Sequence, residues 1–381
     1  MEELQRLSSH LENRLSDLAA ARGNGTRIVG YTPGGYLPEE LVLAAGAVPV
    51  CMIQAGERTA VESSEPYICR WIDPFCRAQI GLATSGRDPY YSALDLLVVP
   101  ITDNHIRAIA DVVDYNTDLE VFPFGVPHMK EPSTFQYYLH GLVRLKERIE
   151  ALTGTKITDE GLKESIRLCN RERELFRTLS TLRQSPGEAI SGSSFIALNH
   201  ASSVSDKRFM VQLLESVAHT VMSQPRRQDN APRILLTGST LAMGDTLPNL
   251  IEDSGGAVVI EEFAEGIRPY WQDVSLEGDP LHALAEAYFM DRVAPAWFRP
   301  GTERQNFLIR LARGWHVDGV IWYQLLFRES YKTESYYFPD RLQRQTGRSM
   351  LVVESDYDQS EAGQMKTRIE TFLHIITGGT D

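Results

Sequence analysis

The sequence lacks any apolar run long enough to cross a bilayer, which takes about 18–20 residues, so no transmembrane helix is expected. It does not begin with the basic start and apolar stretch of a signal peptide; its first residues are acidic and amphipathic. Cysteine is scarce, with 4 among 381 residues, which excludes a disulfide scaffold. We therefore expect a cytoplasmic protein whose thiols stay reduced.

An excess of positive charge is also missing. The chain has 38 Lys and Arg against 51 Asp and Glu, a formal net charge of −13. This charge argues against nucleic acid or an anionic membrane surface as a main partner. No repeat of 20–50 residues is visible, which excludes solenoids and propellers. The 43% hydrophobic and 23% charged content is that of an ordinary folded globular protein.

Short apolar segments alternate with helical patterns in both halves of the chain. Strands are predicted at 27–31, 94–100, 119–124, 233–238, 255–261, 319–323 and 349–354, and helices at 2–22, 104–113 and 360–376. Strands that alternate with helices indicate an α/β fold with mostly parallel sheets.

Between the two halves, 133–183 and 187–222 have the pattern of long helices. The polar stretch 223–232 (SQPRRQDNAP) is typical of a linker. We predict an N-terminal α/β lobe over 1–150, a helical connecting segment over 151–230 and a C-terminal α/β lobe over 231–381.

Gly238, Ser239 and Thr240 follow a predicted strand, at the sheet edge where ligands of α/β proteins bind. Their backbone N–H groups are candidates for holding an anion at the start of a following helix. The segment has neither GxGxxG nor GxxxxGK[ST], so it does not predict a nucleotide site. The plainer interpretation is a strand-to-helix turn that requires small residues.

Cys69 and Cys76 are candidate metal ligands, since two thiolates seven residues apart suit zinc or an iron–sulfur cluster. No second cysteine pair completes such a site, and buried free cysteines are common. Cys51 and Cys169 are expected in the core.

Glu39, Glu40 and His105 are candidate acid–base groups of the first lobe. The two glutamates follow Pro38 in the first turn of a predicted helix, and His105 comes after the strand at 94–100. His128, in another loop, has the same chemical capacity. The plainer interpretation is two solvated carboxylates and solvated loop histidines.

Several segments, taken in order, resemble the 2-hydroxyacyl-CoA dehydratase and benzoyl-CoA reductase family. They are 29–31, 36–41, 44–50, 77–83, 95–103, 233–238, 266–270, 317–321, 354–357 and 363–370. The resemblance implies Rossmann-like lobes and one subunit of a heterodimer that holds [4Fe–4S] clusters and binds an acyl-CoA. It also implies a separate ATP-hydrolysing iron–sulfur activator that delivers low-potential electrons, and chemistry through a ketyl-type radical of the thioester.

The resemblance also implies three cluster-ligand cysteines that this chain lacks. Asp73 stands at the first of these positions, Thr102 at the second, and the third falls in 327–329, which is Phe-Arg-Glu. Cys69 and Cys76 would supply two thiolates at most. Whether this chain itself ligates a cluster is left open by its sequence.

Three interpretations follow from the resemblance: a subunit of an ATP-dependent benzoyl-CoA-type reductase, a subunit of a 2-hydroxyacyl-CoA dehydratase, or a cluster-less partner that shapes the CoA site of a sister subunit. The 31 arginines against 7 lysines fit a GC-rich coding genome and favour the reductase. For the phosphates of the CoA we predict a bidentate contact from Arg268, which lies in the 266–270 segment, and backbone N–H contacts from Gly238, Ser239 and Thr240. The alternative is that Arg268 pairs with Glu261, Glu262 or Glu265.

Overall fold

The computed structural model describes residues 2–185, 187, 190–223 and 230–378, and its strands form two four-stranded sheets. The first sheet contains β1 (Ile28–Tyr31), β2 (Val48–Cys51), β3 (Leu96–Ile101) and β4 (Val121–Gly125). The second contains β5 (Arg233–Gly238), β6 (Ala257–Glu262), β7 (Gly319–Leu325) and β8 (Ser349–Ser355). Every neighbouring pair is parallel, which confirms the predicted two-lobed α/β fold.

Helices flank both sheets. Those of the first half are α1 (Glu2–Gly23), α2 (Glu39–Ala44), α3 (Arg58–Glu62), α4 (Pro74–Thr84), α5 (Pro89–Ala93), α6 (Asn104–Asn116) and α7 (Pro132–Thr153). Then come α8 (Asp159–Leu182), α9 (Gly192–Val204), α10 (Lys207–Ser223), α11 (Leu247–Asp253) and α12 (Pro280–Ala285), which continues as a π-helical turn over Glu286–Met290. The last are α13 (Thr302–Gly314), α14 (Glu329–Thr346), a 3₁₀ turn at Gln359–Glu361 and α15 (Ala362–Ile376).

The two sheets have the same topology. Their strand orders are β2-β1-β3-β4 and β6-β5-β7-β8. In each sheet the second strand of the lobe lies on one side of the first strand, and the third strand lies on its other side. The loops after β1 and β3, and after β5 and β7, therefore diverge and open a crevice at the carboxyl ends of the strands.

The local sequence explains the helix starts beside this crevice. Asp73 caps α4, accepting the Cys76 N–H at 3.1 Å, and Pro74 occupies the first helical position, where no N–H is needed. Asp103 caps α6, accepting the N–H groups of His105 and Ile106 at 2.8 and 3.1 Å. Both caps bring a carboxylate to the crevice.

The structure also departs from the sequence-based predictions. Strand β2 was not predicted; it contains Pro49, which an edge strand tolerates because one side of its backbone has no partner. The long helices predicted over 133–183 are present as α7 and α8, and Gly154, with a φ of 72°, ends the first of them. Residues 224–229 of the predicted linker lie outside the described part of the chain. The domain boundaries stay predictions, and the one at 150 falls inside α7.

The lobes share a hydrophobic core. One cluster of buried side chains contains Leu97 of β3 together with Leu236 of β5 and Ile321 of β7. Backbone bridges join Gln54 to Met243 and Met129 to Arg299. The crevice between the lobes is therefore walled on both sides by packed structure.

Candidate functional site

Two small cavities lie between the lobes at the carboxyl ends of the central strands. Their volumes are about 90 and 50 Å³. Both are lined by Pro33 and Gly34 from the loop after β1, and by Ala264 and Glu265 from the loop after β6. The crevice predicted by the topology is thus present, and both lobes contribute to it.

The larger cavity contains Glu39 and a buried lysine. Lys207 Nζ lies 2.7 Å from Glu39 Oε2 and 2.7 Å from Glu172 Oε2. Burial disfavours the charge of Lys207, but the two carboxylates outweigh it and raise the lysine pKa well above its ordinary value. The Tyr31 hydroxyl donates to the other oxygen of Glu39.

Glu40 is completely buried and lines neither cavity. Its Oε1 accepts from Arg173 Nη2 at 2.6 Å, and its Oε2 accepts from the Tyr288 hydroxyl at 2.9 Å. The interpretation of Glu39 and Glu40 as solvated carboxylates is wrong, because α2 packs against α8 rather than facing water. Glu40 joins these helices as half of a buried ion pair.

At the smaller cavity, Arg328 joins the two lobes. Its Nη1 lies 2.8 Å from Asp73 Oδ2 and its Nη2 lies 2.8 Å from Asp103 Oδ2. Asp73 is 1% exposed. Burial would raise the pKa of Asp73, but Arg328 and His105 outweigh it and hold that pKa below its ordinary value. We call Arg328, Asp73, Asp103 and His105 the Arg328 group.

The structure places His105 in the first turn of α6, so it is not a solvated loop residue. Its Nδ1 lies 3.0 Å from the Asp73 backbone nitrogen and 3.1 Å from Asp73 Oδ2. His128 does lie in the loop after β4, where its ring is tilted against Phe298 with the centroids 4.5 Å apart, and it lines the smaller cavity.

The structure does not bring the cysteines together as a ligand set. Cys69 is exposed and Cys76 is buried, while Cys51 and Cys169 are buried at the larger cavity. Burial, reinforced by Asp73, raises the pKa of Cys76 well above its ordinary value and keeps it a neutral thiol. Within the described residues, no three or more His, Cys, Asp or Glu side chains form a group suited to a metal ion. The side chains present do not fit a [4Fe–4S] cluster.

Gly238, Ser239 and Thr240 end β5 as predicted, but no helix starts there, since α11 begins at Leu247. The Ser239 N–H donates to the Tyr323 carbonyl at 2.9 Å, and Ser239 Oγ accepts the Leu325 N–H at 3.1 Å. Gly238 has a φ of 151°, and a Cβ there would lie 1.6 Å from the Tyr323 oxygen. The glycine is required by close backbone packing, and the segment is not a helix-start anion site.

Arg268 is 4% exposed and pairs with Glu262, one of its anticipated alternatives. Arg268 Nε lies 2.5 Å from Glu262 Oε1, and Arg304 Nη2 lies 2.7 Å from Glu262 Oε2. Arg268 lines the smaller cavity together with Ser239 and Thr240, as their positions after neighbouring strands predict. Its Nη2 is buried and has no hydrogen-bond partner among the described residues.

Besides Lys207 and Arg328, two further residues of the crevice were not predicted as site residues. Glu265 lines both cavities, and burial, opposed in part by Arg268, raises its pKa to about 7. Arg292 lines the larger cavity, where its Nη1 donates to the Arg268 carbonyl at 2.7 Å and its buried Nε has no partner among the described residues. The sequence indicated Glu265 only as an ion-pair partner of Arg268, and no local pattern marks Arg292.

The fold and crevice define a two-lobed parallel α/β protein with a charged site between its lobes. Residues 35–376 match the family described as 2-hydroxyglutaryl-CoA dehydratase, D-component. Because this match covers most of the chain, the protein belongs to that family, and the resemblance seen in its sequence is confirmed.

Individual relatives agree with this membership. YjiM of Escherichia coli (strain K12), which bears the name of a dehydratase subunit, is 26% identical over 90% of this chain and 89% of its own. The (R)-phenyllactyl-CoA dehydratase beta subunit of Clostridium sporogenes is 22% identical over 92% of each chain. A benzoyl-CoA reductase subunit of Thauera aromatica is 25% identical over 77% of each.

Among the described residues, no helix has the length and apolar character needed to span a membrane.

Proposed function

We propose that this chain is one subunit of a heteromeric enzyme that acts on acyl-CoA thioesters and is inactive by itself. Membership of the family over 35–376 supports this proposal, and relatives are named as subunits. The complex contains a paralogous sister subunit and a [4Fe–4S] cluster, and a separate ATP-hydrolysing iron–sulfur activator supplies its electrons. It works in the cytoplasm with neither a nucleic-acid nor a membrane partner, in keeping with a net charge of −13.

The reaction is either dearomatising reduction of an aromatic acyl-CoA, of the benzoyl-CoA reductase type, or loss of water from a 2-hydroxyacyl-CoA. The relative from Thauera aromatica supports the first reaction. The family description and the relative from Clostridium sporogenes support the second. Side-by-side turnover of both substrate classes decides between them.

The acyl end of the substrate, rather than its nucleotide, approaches Arg268. The adjoining cavity of about 50 Å³ is too small for the CoA nucleotide, and Glu262 already occupies one edge of the guanidinium. The remaining Nη2 has no partner among the described residues and is closed to solvent, so it donates one charge-assisted hydrogen bond to the thioester carbonyl only when the cavity opens around it. Ser239 and Thr240 form the wall beside it.

Of the predicted acid–base groups, we assign a proton-transfer role to Glu39 and not to Glu40. Glu39 lines the larger cavity, whereas Glu40 is held by Arg173 and Tyr288. His105 is a positioning residue, since the described contacts of its imidazole go to Asp73.

The test is anaerobic reconstitution of the complex. The chain is produced alone and with its sister subunit, then assayed with activator, ATP and a reductant on benzoyl-CoA and on a 2-hydroxyacyl-CoA. We expect turnover of one substrate by the complete system and none by the chain alone. Turnover by the purified chain without partner or activator contradicts the proposal, as does an assembled complex that converts neither substrate.

A further inference from the structure

We propose that this chain ligates no iron–sulfur cluster, because the Arg328 group fills the space around its buried thiol between the lobes, and that the iron of the complex belongs to the sister subunit. This inference rests on the proposed function, which assigns a cluster to the complex.

The Arg328 group is assembled from three separate elements. Asp73 caps α4, Asp103 caps α6, and Arg328 follows β7 of the other lobe. The guanidinium contacts each carboxylate at 2.8 Å and lies with Nη1 3.7 Å from Cys76 Sγ. A cation held by two carboxylates therefore stands directly against the thiol.

The number of cysteine ligands available at this place also argues against a cluster in this chain. A [4Fe–4S] cluster is ordinarily held by about four thiolates, and the family resemblance implies three cysteine ligands from such a chain. Cys76 lies against Arg328, whereas Cys69 is exposed and Cys51 and Cys169 lie at the other cavity; within the described residues no three His, Cys, Asp or Glu side chains form a group suited to a metal ion. One thiol beside a guanidinium does not form such a site.

The charged side chains around Cys76 also oppose the binding of a cluster there. For iron to reach Cys76 Sγ, the Arg328 guanidinium must leave the space it occupies. Asp73, which is 1% exposed, would then be a buried carboxylate without its cation. A thiolate-bound cluster is itself anionic, so Asp73 and Asp103 would repel it. The charged side chains that close this space therefore oppose cluster binding both before and after Arg328 moves.

The test is iron and sulfide analysis after anaerobic reconstitution with ferrous iron and sulfide, with the sister subunit as the positive control. We expect far less than one iron per molecule of the isolated chain. We also expect unchanged iron in the complex when this chain carries Cys69→Ala and Cys76→Ala. About four irons per isolated chain, lost in the Cys76→Ala variant, overturn the inference.

The iron content of the reconstituted complex distinguishes a failure of this inference from a failure of the proposed function. Iron in the complex but not in this chain supports both. Iron in this chain, lost on Cys76→Ala, refutes the inference and leaves the enzyme class intact. A reconstituted complex without any iron refutes the proposed function, while an iron-free isolated chain still supports the assignment made for this chain.

Discussion

Arg328 Nη1 lies 2.8 Å from Asp73 Oδ2, although the two residues belong to different lobes. Arg328 is 8% exposed and Asp73 is 1% exposed, so water screens this ion pair very little. The pair joins a helix cap of the first lobe to the loop after a central strand of the second. It links the two lobes at a position where the family resemblance implies a cluster-ligand cysteine.

Arg328→Met is expected to lower the free energy of unfolding by about 3–5 kcal/mol, because Asp73 then remains buried without its cation. Urea denaturation of the isolated chain measures the change. Arg107→Met is the matched control, since its ion pair with Asp111 is exposed and contributes little. The double variant with Asp73→Asn should recover part of the loss. A loss no larger than that of the control shows that the pair does not stabilise the lobes.

Because of Glu265, the free energy of unfolding is expected to fall as the pH rises from 4.5 to 7. Its pKa is raised from 4.5 to about 7 in the folded chain. In this range the unfolded carboxyl has lost its proton while the folded one keeps it, so rising pH favours unfolding. The fall amounts to roughly 3 kcal/mol.

Glu265→Gln should abolish this part of the pH dependence and make the chain more stable than the wild type at pH 8. Denaturation curves at several pH values measure it, with the exposed Glu277→Gln as the control. Parallel pH profiles of wild type and Glu265→Gln contradict a raised pKa.

Arg268→Ala is expected to weaken acyl-CoA binding to the complex by roughly 1.5–3 kcal/mol, through loss of a charge-assisted hydrogen bond. Titration calorimetry with a nonreactive acyl-CoA analogue measures the affinity. Since Arg268 also pairs with Glu262, thermal unfolding must show that the variant is folded. Arg177→Ala, which removes a surface pair with Asp273, is the control. Unchanged affinity in a folded Arg268→Ala complex places the acyl site elsewhere.

Glu39→Gln and Glu40→Gln are expected to differ in what they change. Glu39→Gln should lower kcat of the reconstituted complex at least tenfold, because it removes a proton-transfer group from the larger cavity. Glu40→Gln should mainly lower stability, because it weakens the buried pair with Arg173. Kinetics and thermal unfolding of both variants separate the two effects. Equal kcat for wild type and Glu39→Gln refutes the catalytic assignment.

The sequence by itself determined the family and most of the fold. The apolar segment at 94–100 has the composition of a buried parallel strand, and Asp103 is a residue type that caps helices. Both features can be predicted from neighbouring residues. The short strand β2 could not be predicted in this way, because it contains Pro49, which a strand tolerates only at the edge of a sheet.

The site was decided by tertiary structure. Glu40 is buried rather than solvated because Arg173, far away in sequence, meets it. Arg268 pairs with Glu262 and lines the smaller cavity, which no local pattern specifies. The charge state of Glu265 depends on burial, and the contact of Arg328 with Asp73 depends on the docking of two lobes. Burial and long-range ion pairing are properties of the packed chain, so residue type and spacing identified candidates but did not assign their partners.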